Sequence, residues 1–479
     1  MTTLTAVELL GAGTQTHAGT FDIAIANGLV KSITASAAAA PRRLLAMPAL
    51  VNAHDHARPL STTSFGAGGK PLETWLLRLG AMPAIDPYQG ALAAFGRAAR
   101  AGAASVMAHY TRFHGPMLPV DEVRAVARAA ADVGIRVTFA MFMRDRNPLV
   151  YGNAAPVLDA LPSAARRVIE AQFMAPMPDP QQQIARVEAI AAAVESPMFS
   201  MQYGPNGVQW CSDELLGAIA QASARTGRRV HMHLLETRYQ RAFADRTCPE
   251  GVLNRLHQLG LLTDRLALAH CVYARVDELD LIARCGAVIV TNASSNLHLR
   301  SGVAPIGAAI ARGCRVAMGV DGSALDEDDD VLREMRLGHF LHGGWGFDSV
   351  VTRADWLAGS VRHGRFANGA PGPGVLETGA PADILVLDLD RLDRDALMPV
   401  APLDLVFGRA TQAHVVQLFV AGREIVRDGR LTGVDLEAAE TALRDEYRRK
   451  LPARAPFLAA WPYLEQGTAD FCRNNLGCC

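Results

Sequence analysis

The sequence predicts an α/β fold: a (β/α)8 TIM-type barrel carrying a small β-sandwich domain formed from both chain termini. Three observations predict it. Eight apolar runs of strand length recur through the middle of the chain, each separated from the next by a helix-like stretch. These runs are apolar on both faces, as strands are in a parallel sheet covered by helices. The two ends of the chain read differently, with apolar and polar residues alternating between glycine turns. A doubly wound open sheet is the competing arrangement of the same runs.

The elements follow in order. Residues 1–48 are assigned to the small β domain. They contain FDIAIANGLVKSITAS (21–36), which alternates around Asn27-Gly28, a pair suited to a two-residue hairpin turn. Residues 49–368 are assigned to the barrel. Its runs are LLAMPALVNAH (44–54, entering from the β domain), ASVMAHY (104–110), RVTFAMF (136–142), PMFSMQY (197–203), RVHMHLL (229–235), RLALAH (265–270), GAVIVT (286–291) and RVAMGVD (315–321). Between them VDEVRAVARAAADVG (120–134) and SDELLGAIAQASARTG (212–227) begin at cap-like residues and finish at glycine, as helices do. NGAPGPG (368–374) marks the return to the β domain. Residues 369–434 complete that domain with ADILVLDLD (382–390) and VVQLFVAGREIVRDGRLTG (415–433). Residues 435–479 form a C-terminal helical tail that begins with a charged surface helix over 435–450.

Composition narrows the function. The chain has 479 residues, half of them apolar, enough for more than one core. A net charge of −1 gives no field to draw nucleic acid or an anionic membrane. No run approaches the roughly 18 apolar residues of a membrane helix. The start, MTTLTAVELLGAGTQTHAG, lacks the basic-then-apolar pattern of a secretory signal. The eight cysteines include no Cys-x-x-Cys pair, and most sit in apolar runs. They read as reduced thiols of a cytoplasmic protein. The expected partner is a small-molecule substrate, with a homodimer as the default assembly.

The chemistry lies in the histidines. VNAHDHARPL (51–60) carries His54 and His56, and RVHMHLLETR (229–238) carries His231 and His233. Residues two apart on a strand share a face, so such a pair can converge on one ion. With 14 histidines in 479 positions, chance gives about 0.4 His-x-His pairs. Two are present, both at the carboxyl ends of strands, where barrels build their sites. His270 and Asp321 follow at the ends of later strands.

PALVNAHDH, RVHMHLLET, LALAHC, TNASSNLHLRSG and GVDGSALDED, in that order, resemble the amidohydrolase superfamily. The likeness is greatest to its branch of cytosine-, guanine- and adenosyl-type deaminases and triazine hydrolases. ETGAPADILVLD and LFVAGREIVRDG resemble that family's C-terminal β segments, so the likeness covers almost the whole chain. The resemblance implies His54, His56, His233 and Asp321 as metal ligands, with His231 a neighbour on the same face. It implies Glu236 as the proton shuttle, His270 facing the attacking water or the substrate, and Asp321 as acceptor of the water's proton. Two-metal members of the superfamily usually bridge their ions with a carboxylated lysine on the fourth strand. The lysines here are Lys31, Lys70 and Lys450, none near PMFSMQY. One divalent ion is therefore expected: Zn²⁺, with Fe²⁺ as the alternative. Glu236 carries a geometric condition. In an unbroken strand it would point away from the face of His233, so the strand must bend or end near Leu235.

Four further residues are candidates for substrate contact. Trp75, in the glycine-rich SFGAGGKPLETW (64–75), stacks on a planar substrate from a lid or tucks against the barrel. Asn206 stands where the family often has a histidine, and with Gln209 it offers amide groups to a neutral ring. His109 ends the second strand run and reads as either a substrate contact or a satisfied core histidine. His114 and His298 lie on loops, and the remaining histidines are assigned to packing or surface. The acidic run Asp326–Asp330 reads as a helix start that favours the dipole.

The implied function is a mononuclear metal-dependent aminohydrolase. Such an enzyme is a deaminase that releases ammonia from a small N-heterocycle bearing an exocyclic amino group. The alternative is a same-fold hydrolase of a triazine C–Cl or C–N bond, or of an acyclic amide or formamide. A non-catalytic relative would require a broken ligand set, and none is broken. The base-flipping zinc deaminases use His-x-Glu with Pro-Cys-x-x-Cys, which is missing here.

Overall fold

In the computed structural model, residues 1–11, 16–39, 41–113, 117–322 and 327–477 are described. His114, Asp326 and the Cys478-Cys479 pair lie outside them. Strands β1 (Thr2–Leu10), β2 (Thr16–Ala26), β3 (Leu29–Ala35) and β4 (Leu44–Pro48) open the chain. The barrel strands are β5 (Leu50–Asp55), β6 (Ala103–Tyr110), β7 (Arg136–Met143), β8 (Phe199–Pro205), β9 (Val230–Leu234), β10 (Leu266–His270), β11 (Val288–Thr291) and β12 (Arg315–Met318). After them come β13 (Ile384–Asp388), β14 (Val415–Val420), β15 (Arg423–Arg427) and β16 (Arg430–Leu431).

The first barrel run is two strands, because LLAMP and LVNAHD enter different sheets. β4 pairs with β1 and β13, while β5 pairs with β6. Ala49 is the joint: its N–H bonds to the Asp383 carbonyl, and the next N–H, of Leu50, to Gly102. The terminal sheet has the order β16-β15-β14-β13-β4-β1-β2-β3. It folds back on itself, since Val30 and Gly28 bond to the backbone of residues 379–382. The fold encloses a core that includes Leu9, Ile23, Ile25, Val30, Ile384 and Phe419. Asn27 and Gly28 have φ of 52° and 80°, the pair of left-handed residues that the predicted hairpin turn needs.

β5 to β12 run parallel in sequential order. Every residue of β5, β6, β9, β10 and β11 is buried, as strands covered by helices require. The ring closes where the N–H groups of Val320 and Asp321 both donate to the His54 carbonyl. This closure needs glycine at 319. A Cβ there would sit 2.7 Å from the His54 Cβ and 2.4 Å from the Asn292 Oδ1. The helices Pro119–Val133 and Asp213–Thr226 end on Gly134 and Gly227 with φ of 85° and 71°, at the positions read from sequence.

The acidic run does several jobs, not one. Asp330 caps the helix Val331–His342 by accepting from Leu332 and Arg333 N–H. Asp329 pairs with Arg97 at 2.8 Å, and Glu327 accepts from Thr62 N–H at 2.8 Å. The two domains are tied by Asp383, whose buried carboxylate meets Arg136 at 2.8 Å and Arg365 at 2.7 Å.

The tail is helical, as expected, and divides into two helices. Beyond the charged helix Leu436–Lys450 runs the 22-residue Ala455–Leu476. Its Phe457, Trp461 and Leu464 are buried in one cluster with Trp75, Leu77 and Ile169. These residues belong to the helices Leu72–Arg78 and Ser163–Phe173. The C-terminal helix thereby braces the segments that wall the barrel mouth. No helix among the described residues is long and apolar enough to cross a membrane.

Candidate metal centre and its pocket

Four strand ends deliver the charged side chains. His54 lies on β5, with His56 one residue past its end. His231 and His233 lie on β9, His270 closes β10, and Asp321 follows β12. Leu235, His270 and Asp321 have φ of 51°, 75° and 62°. Left-handed conformations in such residues carry strain, which gathers where side chains must be aimed. At Leu235 the turn meets the condition set for Glu236. β9 ends at Leu234, the chain turns, and the Glu236 Oε2 lies 3.6 Å from the His270 Nε2.

Hydrogen bonds fix which ring nitrogens carry protons. The His56 Nδ1 faces the His109 carbonyl at 2.6 Å, so it donates and leaves a lone pair on Nε2. That lone pair points at the Asp321 Oδ1, 2.9 Å away. The His233 Nδ1 donates to the Asn206 carbonyl at 2.9 Å, and its Nε2 lies 3.4 Å from the His56 Nε2. The His54 Nδ1 contacts the His231 Nε2 at 2.9 Å, while the His54 Nε2 lies 3.2 Å from the Asp321 Oδ1. Neither of these last two atoms has a hydrogen-bond partner. Acceptors face acceptors across a buried centre, an arrangement that repels unless a cation sits among them. The donor set of three imidazoles and a carboxylate therefore fits a divalent ion. His54, His56 and Asp321 place ligand atoms within 4.8 Å of one another, and so do His54, His233 and His270.

A supporting layer holds these groups. The Ser295 hydroxyl donates to the Asp321 Oδ2 at 2.5 Å. The Asn296 Oδ1 accepts from the His270 Nδ1 at 2.9 Å. The Ser301 hydroxyl donates to the Glu236 Oε1 at 3.3 Å. All three come from TNASSNLHLRSG, a motif recognised in the sequence without roles for its residues. His231 supports His54 from beneath. Burial pushes the Glu236 carboxyl up to about 7, against the opposing pull of His270. Burial also raises the Asp321 carboxyl, but His54 and His56 outweigh it and hold Asp321 well below the usual carboxylate range. Burial first, then neighbouring histidines, hold the rings of His231 and His233 well below 6.5.

The pocket above the centre is a cavity of about 230 Å³. His56, His233, Glu236, His270 and Asp321 form its floor, and Trp75 and Asn206 stand on its wall. Trp75 reaches this wall from a packed helix, with its Nε1 donating to the Thr62 Oγ1 at 3.4 Å. Two expected substrate contacts are displaced. His109 is fully buried and does not line the cavity, and its ring lies against the metal centre, with a nitrogen within 4.8 Å of ligand atoms of His56 and His233. It is not a satisfied core histidine either, because neither ring nitrogen makes a well-formed hydrogen bond. Gln209 is also buried and off the wall, because its side chain folds back against Gly207. The wall instead includes Arg58, Arg112, Arg144 and Trp210, which the sequence analysis passed over. The available signal was position, since Arg112 and Arg144 each lie just past a predicted barrel strand.

Comparison with known proteins agrees with this architecture. The model of the Amidohydrolase family matches residues 45–425. The chain is 30% identical over 440 residues to the 5-methylthioadenosine/S-adenosylhomocysteine deaminase of Nitratidesulfovibrio vulgaris (strain DSM 19637 / Miyazaki F), covering 89% of this chain and 92% of the relative. It is 27% identical over 393 residues to the 5'-deoxyadenosine deaminase of Methanopyrus kandleri, covering 81% of this chain and 83% of that protein. Among solved structures, a zinc-bound adenosine deaminase from Xanthomonas campestris superposes with a TM-score of 0.77 at 23% identity, covering 94% of this chain and 98% of that one. The atrazine chlorohydrolase of Arthrobacter aurescens TC1, complexed with zinc, gives 0.76 at 20% identity, covering 93% and 100%. Both likenesses are of fold.

Proposed function

Because the chain belongs to the amidohydrolase family, we propose that it is a deaminase acting on a small N-heterocycle with an exocyclic amino group. One observation carries this reading. A buried cluster of acceptor atoms on His54, His56, His233 and Asp321 lies beside Glu236, whose carboxyl is pushed up by burial to about 7. The named relatives, deaminases of adenosine-type compounds, support it.

His54, His56, His233 and Asp321 would hold one ion, zinc by donor type. A divalent ion so held lowers the pKa of water toward about 7. The chain's own groups then move the protons. Asp321, kept ionised by its histidine neighbours, accepts a proton from the attacking water. Glu236, whose carboxyl burial raises toward neutrality, takes up and returns a proton. It protonates the ring nitrogen beside the carbon under attack, which makes that carbon an electrophile. The new C–O bond forms there. The C–N bond to the amino group breaks, and the nitrogen leaves as ammonia with the proton carried across. His270, steadied through its Nδ1 by Asn296, presents a lone pair on Nε2 that orients the water. Trp75 and the apolar wall exclude bulk water from these transfers.

The test begins with metal analysis of the purified protein. An ammonia-release screen over aminopyrimidines, aminopurines, pterins and aminotriazines follows. Release of chloride, alkylamine or formate without ammonia would replace deamination by another hydrolysis at the same centre.

A further inference from the structure

The pocket wall is rich in donors and poor in acceptors. Among the described residues, Arg112 and Arg144 line the cavity, and their guanidinium groups form no ion pair and no hydrogen bond. Among the other polar groups there, the Arg58 Nε, the Asn206 Oδ1 and the Trp210 Nε1 are also buried without a hydrogen-bond partner, but none of them is a cation without carboxylates around it. Arg58 lies over the Trp75 ring at 4.5 Å, within the field of Asp321, Asp55, Glu327 and Asp329. The Gln172 amide is used at both ends, its Nε2 donating to the Gly80 carbonyl at 3.1 Å and its oxygen accepting from Arg454. The carboxylates on the lining are Glu236 and Asp321, both committed to the centre. A wall of this kind has no acidic group left over for sugar hydroxyls, and it has two cations without counter-ions.

The two arginines follow neighbouring barrel strands and line the same cavity. Tyr110 on β6 pairs with Met141 on β7; Arg112 comes two residues after β6 ends and Arg144 one residue after β7 ends. Arg144 is firmly mounted. Its N–H donates to the Gln183 Oε1 at 3.1 Å, and its carbonyl accepts from the Gln183 Nε2 at 3.0 Å. Its Nε is buried without a partner. Desolvated cations with unused donors are costly unless an anion completes them. Burial, and then the nearby Arg454, push Arg112 down to about 10, the direction expected of a cation lacking its counter-charge.

Resting on the deaminase reading above, we propose that the substrate is an amino-substituted heterocycle bearing an anionic substituent, a carboxylate or phosphate, that Arg112 and Arg144 grip opposite the metal centre. Paired guanidinium groups match the oxygens of either anion, with charge-assisted bonds stronger than neutral ones.

The metal-loaded enzyme is assayed for ammonia release on matched pairs: pterin against pterin-6-carboxylate, and adenosine against AMP. The first pair reads carboxylate and the second phosphate. At least one anionic member should exceed its neutral partner roughly 10- to 100-fold in kcat/KM. Arg112→Met and Arg144→Met should each cut that preference at least tenfold, and Arg112→Lys should restore part of it. Equal or better use of both neutral members overturns the proposal, as does a preference that survives both Met variants. Calorimetric binding of pterin and pterin-6-carboxylate to the same metal-loaded proteins separates the two readings. Should no compound release ammonia, the deaminase reading fails. The anion subsite then stands if the carboxylate alone binds and the Met variants lose it, and falls if both pterins bind alike.

Discussion

Replacing Glu236 by glutamine keeps the shape of the side chain and removes its titration. The residue is 2% exposed, and burial moves its carboxyl from 4.5 to about 7. Ionised Glu236 therefore costs the fold roughly 3 kcal/mol. The folded pKa lies above the unfolded one, so the cost is zero below pH 4.5. It grows as pH rises toward 7 and is complete above it. Metal-stripped Glu236→Gln should thus match wild type at pH 4 and exceed it by up to roughly 3 kcal/mol at pH 8 in urea unfolding. The metal-loaded variant should retain its ion and lose about 10²- to 10⁴-fold in kcat. A kcat within tenfold of wild type would remove Glu236 from acid–base chemistry. A variant no more stable than wild type at pH 8 would show that the carboxyl is not held neutral by burial.

Chelation should abolish turnover, and activity should return with one equivalent of zinc per chain; His233→Ala or Asp321→Asn should bind that ion far more weakly in a chelator competition. Ser295→Ala removes the donor to the Asp321 Oδ2 and should weaken metal affinity about 10- to 100-fold, read in the same competition. Asp383→Ala strands Arg136 and Arg365 in the interface between the domains and should cost about 3–5 kcal/mol in urea unfolding. Burial raises the Asp383 carboxyl, but Arg136 and Arg365 outweigh it and hold it below 3.8. This contribution is therefore present at neutral pH and fades only in acid below about pH 4.

The barrel strands were legible because burial on both faces leaves an unbroken apolar run, and their carboxyl ends were legible because His, Glu and Asp interrupt it. One run misled. LLAMPALVNAH has no polar break at Ala49, where the chain passes from one sheet to the other, because both halves are buried. The placement of His109 and Gln209 was hidden for another reason. Residue type and chain position say that a side chain lies near the mouth, but not whether it lines the cavity or packs behind its wall. The tail was read as helical, but the packing of its second helix was not, because its apolar face covers other helices and matches no barrel repeat.

The sequence by itself determined the parallel barrel, the β domain drawn from both ends, and the side chains able to meet at one centre, since these follow from the periods of apolar residues and from chemically distinctive residue types. Tertiary structure alone decided which lone pairs face inward, which arginines lack a counter-charge, and how Leu235 turns Glu236 toward His270. Each of these depends on distances of a few ångströms between segments far apart in the chain, and local patterning carries no record of such distances.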